Sequence, residues 1–189
     1  MKGKVYIASM NMLGKGGNWA DPINKDSKKI NVTSFQQKNS PDRLIFSPMT
    51  QINNGYKGYF NFESYWQSGK VYQDIPHTKT KQWWKEVKSP KRRYPNSKGK
   101  KVLYAIFDGS DEKMDYITSR KKIYVPEYYN LIKNTSRVKY WKSLLNNGTD
   151  LTVYDFDGPR ENTGEVSCLE MNKQTLITKI NDTTFPFGH

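Results

Sequence analysis

Asn61-Phe62-Glu63-Ser64-Tyr65-Trp66-Gln67-Ser68-Gly69-Lys70-Val71-Tyr72 carries the clearest helical periodicity in this chain of 189 residues. Phe62, Tyr65, Trp66 and Gly69 recur at i, i+3, i+4 and i+7, one face of a 3.6-residue period, and Asn61 is a residue type that caps a helix start. The spacing predicts a helix over 62–72, with Glu63, Gln67 and Lys70 lining a neighbouring face. On the N-terminal side, Leu44–Pro48 reads as a short strand stopped by proline, and Asn53-Asn54-Gly55 as a turn. Residues 4–10 and 29–35 read as strands, with a loop over 14–26 between them. On the C-terminal side, a helix from Thr78 carries Trp83, Trp84 and Val87 to a stop at Ser89-Pro90.

Beyond a basic loop at 91–101, Val102–Phe107 is the most apolar run, and its length fits a buried strand or a helix segment equally. Ser110 is a candidate cap for a helix reaching Lys122. A further helix opens at Val125-Pro126-Glu127 and another spans 136–146. Leu151–Phe156 reads as a strand that feeds a loop over 155–164, and 165–180 as a final helix before Phe185-Pro186-Phe187-Gly188-His189. The sum is an α+β chain, expected as one compact domain over 1–189 with a helix-rich middle and short strands.

Hydrophobic residues make up 35 % of the chain, against roughly 45–50 % (Gly included) in typical domains, so the core must be small. Aromatic residues, at 14 %, compensate through their large buried area and argue against disorder. The net charge of +13 favours an anionic partner. Six of the basic residues are Arg and 25 are Lys; with abundant Asn, this is also the signature of an AT-rich genome such as that of a phage or a large DNA virus. A single cysteine, Cys168, leaves no internal disulfide and no Cys-rich metal site, and fits a reducing, cytoplasmic setting, the host cytoplasm for a viral chain. No run of 18 apolar residues and no apolar N-terminal stretch is present, so neither membrane insertion nor secretion is expected. The Asn-x-Ser/Thr triplets at Asn31, Asn134, Asn147 and Asn181 then read as chance matches.

Two histidines, His77 and the final His189, leave little for a nucleophilic triad, and zinc-deaminase ligands are missing. Neither a phosphate-binding Gly-x-x-x-x-Gly-Lys-Ser/Thr loop nor Gly-x-Gly-x-x-Gly occurs. No cofactor or metal is expected, and catalysis would fall to carboxylates. The Glu63–Lys70 stripe offers a carboxylate, an amide, a cation and two flat rings to one ligand; spacing alone favours the plainer reading, a solvated helix edge with a Glu63–Gln67 pair over a buried Trp66.

Phe62–Val71 resembles the motif of the NADAR family, which reads roughly Glu-His-Tyr-Tyr-Gln-Ala-x-Lys-Phe, with Ser64 in place of the usual His. Phe46-Ser47-Pro48 resembles the Phe-Ser-Asn element that precedes that motif, and the acidic, glycine-containing loop near 155–164 is similar, although it lacks the usual Trp-Gly. The likeness spans about residues 44–164. It implies a NADAR-like fold and a hydrolase of N-glycosidic bonds acting on an ADP-ribosyl or nucleoside-type ligand, in some members on ADP-ribose attached to DNA. Glu63 and Asp157 are then the catalytic candidates, and Phe46, Tyr65, Trp66, Gln67, Lys70, Asp155, Arg160 and Asn162 the substrate-binding ones. The chemistry is compatible: cleaving an N-glycosidic bond builds positive charge at the anomeric carbon, which a carboxylate stabilises.

Two readings compete. Asp155-x-Asp157 could be an Asx-stabilised turn before Gly158-Pro159, or could hold Mg²⁺ in a metal-dependent phosphohydrolase. Between Lys79 and Lys101, ten basic residues face one acid, Glu86, with Trp83, Trp84 and Tyr94 interleaved. That pattern suits DNA or RNA held through Trp83, Lys91, Arg92, Arg93 and Tyr94 by a protein that cleaves nothing, or else a solvated face over core tryptophans.

Overall fold

The computed structural model describes residues 2–12, 26–33, 39–156 and 158–184. In chain order the elements are β1 Val5–Ser9, β2 Lys28–Asn31, α1 Pro41–Phe46, α2 Phe62–Ser68, β3 Lys70–Tyr72, α3 His77–Glu86, β4 Val102–Ala105, α4 Tyr116–Ser119, a π-helical turn at Arg120–Tyr124, α5 Val125–Ile132, α6 Ser136–Asn146, β5 Leu151–Asp155, β6 Cys168–Glu170 and α7 Lys173–Ile180. The chain is α+β, as its sequence indicates, and groups into two compact units: 1–47 with 130–189, and 48–129. Among the described residues no helix is long and apolar enough to cross a membrane.

The first unit is built on a four-stranded sheet ordered β2-β5-β1-β6. β1 and β2 both run parallel to β5, and β6 runs antiparallel to β1. Alternation along the strands sends Tyr6, Ala8 and Tyr154 to one face, where they meet Met10, Met12 and Cys168. Leu151 and Ile30 go to the other face, packed with Phe46 of α1 and with Val138, Trp141, Leu144 and Leu145 of α6. The Phe46 ring stacks on Trp141 at 4.2 Å. A sheet covered on both faces explains why β5, Leu-Thr-Val-Tyr-Asp, is buried along almost its whole length.

Two sequence expectations are corrected in this unit. The segment expected as a strand at 44–48 is the end of α1: Pro41 sits at the first helical position, Asp42 complements the dipole, and Ser47, preceding Pro48, is already extended. The helix expected over 165–180 is β6 followed by α7. Cys168–Glu170 pairs with β1, and the Asn172 side chain accepts from Thr175 N–H to start the helix only at Lys173.

The second unit pairs β3 with β4, antiparallel, with a bulge between Val71 and Tyr72. The apolar run at 102–107 is thus resolved as a strand. Asn61 caps α2 as its residue type predicts: its Oδ1 accepts from Ser64 N–H at 2.8 Å, while its Nδ2 donates to the Met49 carbonyl at 2.8 Å. The expected helical span 62–72 stops short, however, at Ser68. Gly69 closes it, and Lys70–Tyr72 turn into a strand because the Gly69 carbonyl accepts from Ile106 N–H of the β4 chain.

Ser110 does not start the next helix. Asp115 does, its Oδ1 accepting from Thr118 N–H at 2.6 Å. The two helices expected around 110–122 and from 125 are one run, Tyr116–Ile132, widened in its middle. There Val125 N–H bonds to the Arg120 carbonyl five residues back, immediately before Pro126, which has no N–H to offer and whose ring crowds the preceding turn. The wide turn aims Tyr124 edge-on at Trp66, with centroids 4.9 Å apart.

Replacing Asn61 with Ala removes the cap and the bond to the half-buried Met49 carbonyl together. The expected cost is about 2 kcal/mol of stability, at the upper end for caps, read as a lowered urea midpoint at unchanged slope.

Candidate functional site

α2 is buried on almost every side; Glu63 is half-buried, and its Oε1 accepts a hydrogen bond from Gln67 Nε2 at 2.7 Å. Lys70 follows the Gly69 break. Burial drives its ammonium to a lowered pKa, and the Glu63 carboxylate opposes that shift by favouring the charged form. Tyr72, two residues along β3, is raised mainly by its burial; Arg93 pulls it down and Glu63 pushes it up. Glu63, Gln67, Lys70, Tyr72 and Arg93 therefore form one electrostatically linked group.

Lys70 and Trp66 line a cavity of about 210 Å³, whose other walls include Leu103 and Tyr104 of β4 and Asp115 and Tyr116 at the start of α4. Its rim is apolar and open, with Leu103 51 % and Tyr116 41 % exposed. Asp115 is held below the usual carboxylate range by the Thr118 N–H that it caps. A pocket with one desolvated cation, a carboxylate in electrostatic reach, an indole wall and an apolar mouth is chemically suited to a small ring carrying a polar edge.

A second, larger cleft of about 430 Å³ is lined by His77, Lys81, Asp108, Ser110 and Asp111. Its groups hold one another. Asp108 pairs with Lys81 and more distantly with Lys85, and accepts from the Tyr59 hydroxyl at 3.2 Å. Burial raises the Asp108 carboxyl, but these partners outweigh it and hold the group below its ordinary value. His77 Nε2 lies 2.9 Å from the Ser68 carbonyl oxygen and donates to it, which ties the ring to the backbone.

Of the residues singled out from sequence, Trp66 and Lys70 line the smaller cavity; Glu63 and Gln67 bond to each other on α2 and are not among its walls. Tyr65 does not present a face to it. At 3 % exposure its ring packs against Tyr56, Tyr59 and Phe107, so it belongs to the core and not to the rings open to a ligand. Tyr94, 4 % exposed, meets Trp83 edge-on at 5.4 Å and cannot stack on a base either. Trp83 is half-buried, while Lys91, Arg92 and Arg93 are exposed.

In the first unit, Phe46 is committed to its stack with Trp141. Asp155 ends β5 buried, its Oδ1 accepting from Phe156 N–H at 2.7 Å. Arg160 Nη1 donates to the Gly164 carbonyl at 2.8 Å across a loop that Arg160 and Val166 bridge, and Asn162 is exposed on it. Asp157 lies outside the described residues. Tyr104, Asp115 and Tyr116 were not among the sequence candidates. The sequence signal for Asp115 was its place as a cap before Tyr116-Ile117; the cavity wall on β4 has no local signal.

Set against protein-family models, curated proteins and solved structures, the chain has no match.

The lowered Lys70 pKa gives a test with a defined sign. Between its value in the fold and the ordinary 10.5, the unfolded chain binds a proton that the folded chain has released, so stability rises with pH through that window. The unfolding free energy of the wild type should climb relative to Lys70→Met as the pH rises toward 10.5. A constant difference across that range would show an ordinary, solvated amine.

Proposed function

We propose that this chain hydrolyses the N-glycosidic bond of a nucleoside-type or ADP-ribosyl ligand, with Glu63 as the carboxylate that stabilises the developing sugar cation. The observation that carries the reading is the cavity walled by Trp66 and Lys70, with the Gln67-bonded Glu63 carboxylate favouring the charged form of the Lys70 ammonium. Desolvation strengthens the attraction between a carboxylate and an oxocarbenium-like centre, because fewer water dipoles screen it. Gln67 fixes the carboxylate by donating to its Oε1, which holds it in one orientation toward the sugar. The Trp66 indole offers a surface on which a base or a sugar face packs, worth about 1–3 kcal/mol for a stacked base.

Lys70 suits the opposite end of the reaction. An amine whose proton is loosened by burial is a better acid than a surface lysine, so it can protonate or hold the departing base. The overall step balances with water alone: its oxygen and one hydrogen become the new hydroxyl on the anomeric carbon, and its other hydrogen leaves on the base. The resemblance of Glu63–Lys70 to the NADAR motif supports the same assignment. Ser64 stands where that motif has His, and its buried Oγ has no hydrogen-bond partner, so the proton transfers fall to Glu63 and Lys70.

The test is to incubate the protein with ADP-ribosylated DNA, free ADP-ribose and aminopyrimidine ribosides, and to follow released base or sugar by mass spectrometry. Glu63→Gln keeps the size and the Gln67 contact but not the charge; turnover should fall by about 10²–10³, with ligand affinity retained. Turnover equal to wild type in that variant, or no release by the wild type from any of these substrates, would overturn the proposal.

A further inference from the structure

The segment Lys88–Lys101 carries seven basic residues and no acidic one, and all seven side chains are exposed. Elsewhere in the same unit several lysines are paired with acids: Lys81 and Lys85 share Asp108, Lys57 pairs with Glu127 and Lys122 with Glu112. Within the segment, Lys100 pairs with Asp74. The remaining positive charge is concentrated along 88–101.

This segment is not a loose tail. The buried Tyr94 ring anchors it against Trp83. Ser97 N–H and Oγ both bond to the Tyr94 carbonyl, Lys100 N–H bonds to the Ser97 carbonyl, and the Lys101 carbonyl accepts from Gln73 N–H next to β3. Two prolines, Pro90 and Pro95, stiffen it further. Cations on a pre-shaped ribbon lose little entropy when they meet a ligand. Its course also has a direction: Arg93 acts on Tyr72, and Lys101 runs straight into Val102 and Leu103 at the mouth of the cavity that Lys70 lines.

We infer that the ribbon Lys88–Lys101 is a docking surface for a single-stranded nucleic acid, whose phosphates it tracks while one unpaired nucleotide enters the cavity at Trp66 and Lys70. The charge sets the class of ligand, since evenly spaced phosphates suit a row of exposed Lys and Arg. The cavity sets the strandedness. At about 210 Å³ it is smaller than the roughly 300 Å³ at which drug-sized pockets begin, so it takes one ring system, which a strand can offer only unpaired. With Tyr94 buried, the rings that meet bases are those at the mouth. This inference rests on the glycosidase reading only for what happens inside the cavity; strand binding stands apart from it.

The experiment is fluorescence anisotropy of labelled DNA and RNA strands of about 15 nucleotides, long enough to exceed one typical binding footprint, with a duplex of the same sequence alongside. Binding of either strand should weaken roughly 20-fold between 50 and 200 mM salt, for about three phosphates at ~0.7 in log–log slope each. Lys91→Glu/Arg93→Glu/Lys98→Glu should cost at least 10-fold, and Lys139→Glu/Lys142→Glu/Lys173→Glu, with the same charge change on the other unit, less than about 2-fold. Glu63→Gln should bind strands as the wild type does, so loss of turnover and loss of docking are read separately. Absence of strand binding at 50 mM salt, a duplex bound as tightly as the single strands, or equal losses in the two triple variants would overturn the inference.

Discussion

Gly69 has no room for a side chain. A Cβ placed there would lie 2.5 Å from the Phe107 ring, so α2 and the β4 chain approach as closely as they do only because position 69 is bare. That contact ends α2 after seven residues, bonds the Gly69 carbonyl to Ile106, and sends Lys70 onto a strand rather than around another helical turn. The cavity, the burial of the Lys70 amine and its distance from Glu63 all follow from this one approach. A methyl group there would force the Phe107 ring, and with it the Trp66 stack at 5.7 Å, to move.

Charge is used in two different ways in the second unit. Inside, the Glu63 carboxylate acts on the Lys70 ammonium and the Tyr72 hydroxyl, whose protons burial already shifts. At the surface, Asp108, Glu127 and Asp74 are distributed so that they cancel particular lysines while the ribbon at 88–101 stays largely uncompensated. Compositional bias alone would account for the abundance of lysine. It does not explain why the acids sit where they do.

Much of the secondary structure was legible because it is locally determined. The 136–146 helix, the Asn61 cap, the α3 tryptophans and the strands at β1 and β5 each follow from periodicity or residue type within a few positions. The expectations that failed depend on partners distant in sequence. Lys70 continues a helical stripe until β4 is there to pair with it, and Cys168–Glu170 looks helical until β1 offers an edge. Leu44–Phe46 looks β-branched and apolar, yet Pro41 and Asp42 upstream had already started a helix. For the candidate site the divide is the same. Glu63, Trp66, Gln67 and Lys70 share ten residues of sequence, whereas Tyr104, Asp115 and Tyr116 reach the cavity from another strand and another helix. Tyr65 and Tyr94 were misjudged because an aromatic side chain looks the same in sequence whether it faces a ligand or the core.

The pairing of β1 bears on how such a chain is made. Val5 meets Leu151, and the antiparallel neighbour of β1 begins only at Cys168; β2 likewise has its partner in β5. During synthesis the first two strands leave the ribosome with nothing to pair with until most of the chain has followed. The strand pairing inside 48–129 joins residues only 30 to 35 positions apart, Lys70 with Ala105 among them. It is complete while its host is still waiting. The edges of β1 and β2 thus stay open until β5 has been made, the interval in which such edges are most prone to wrong association.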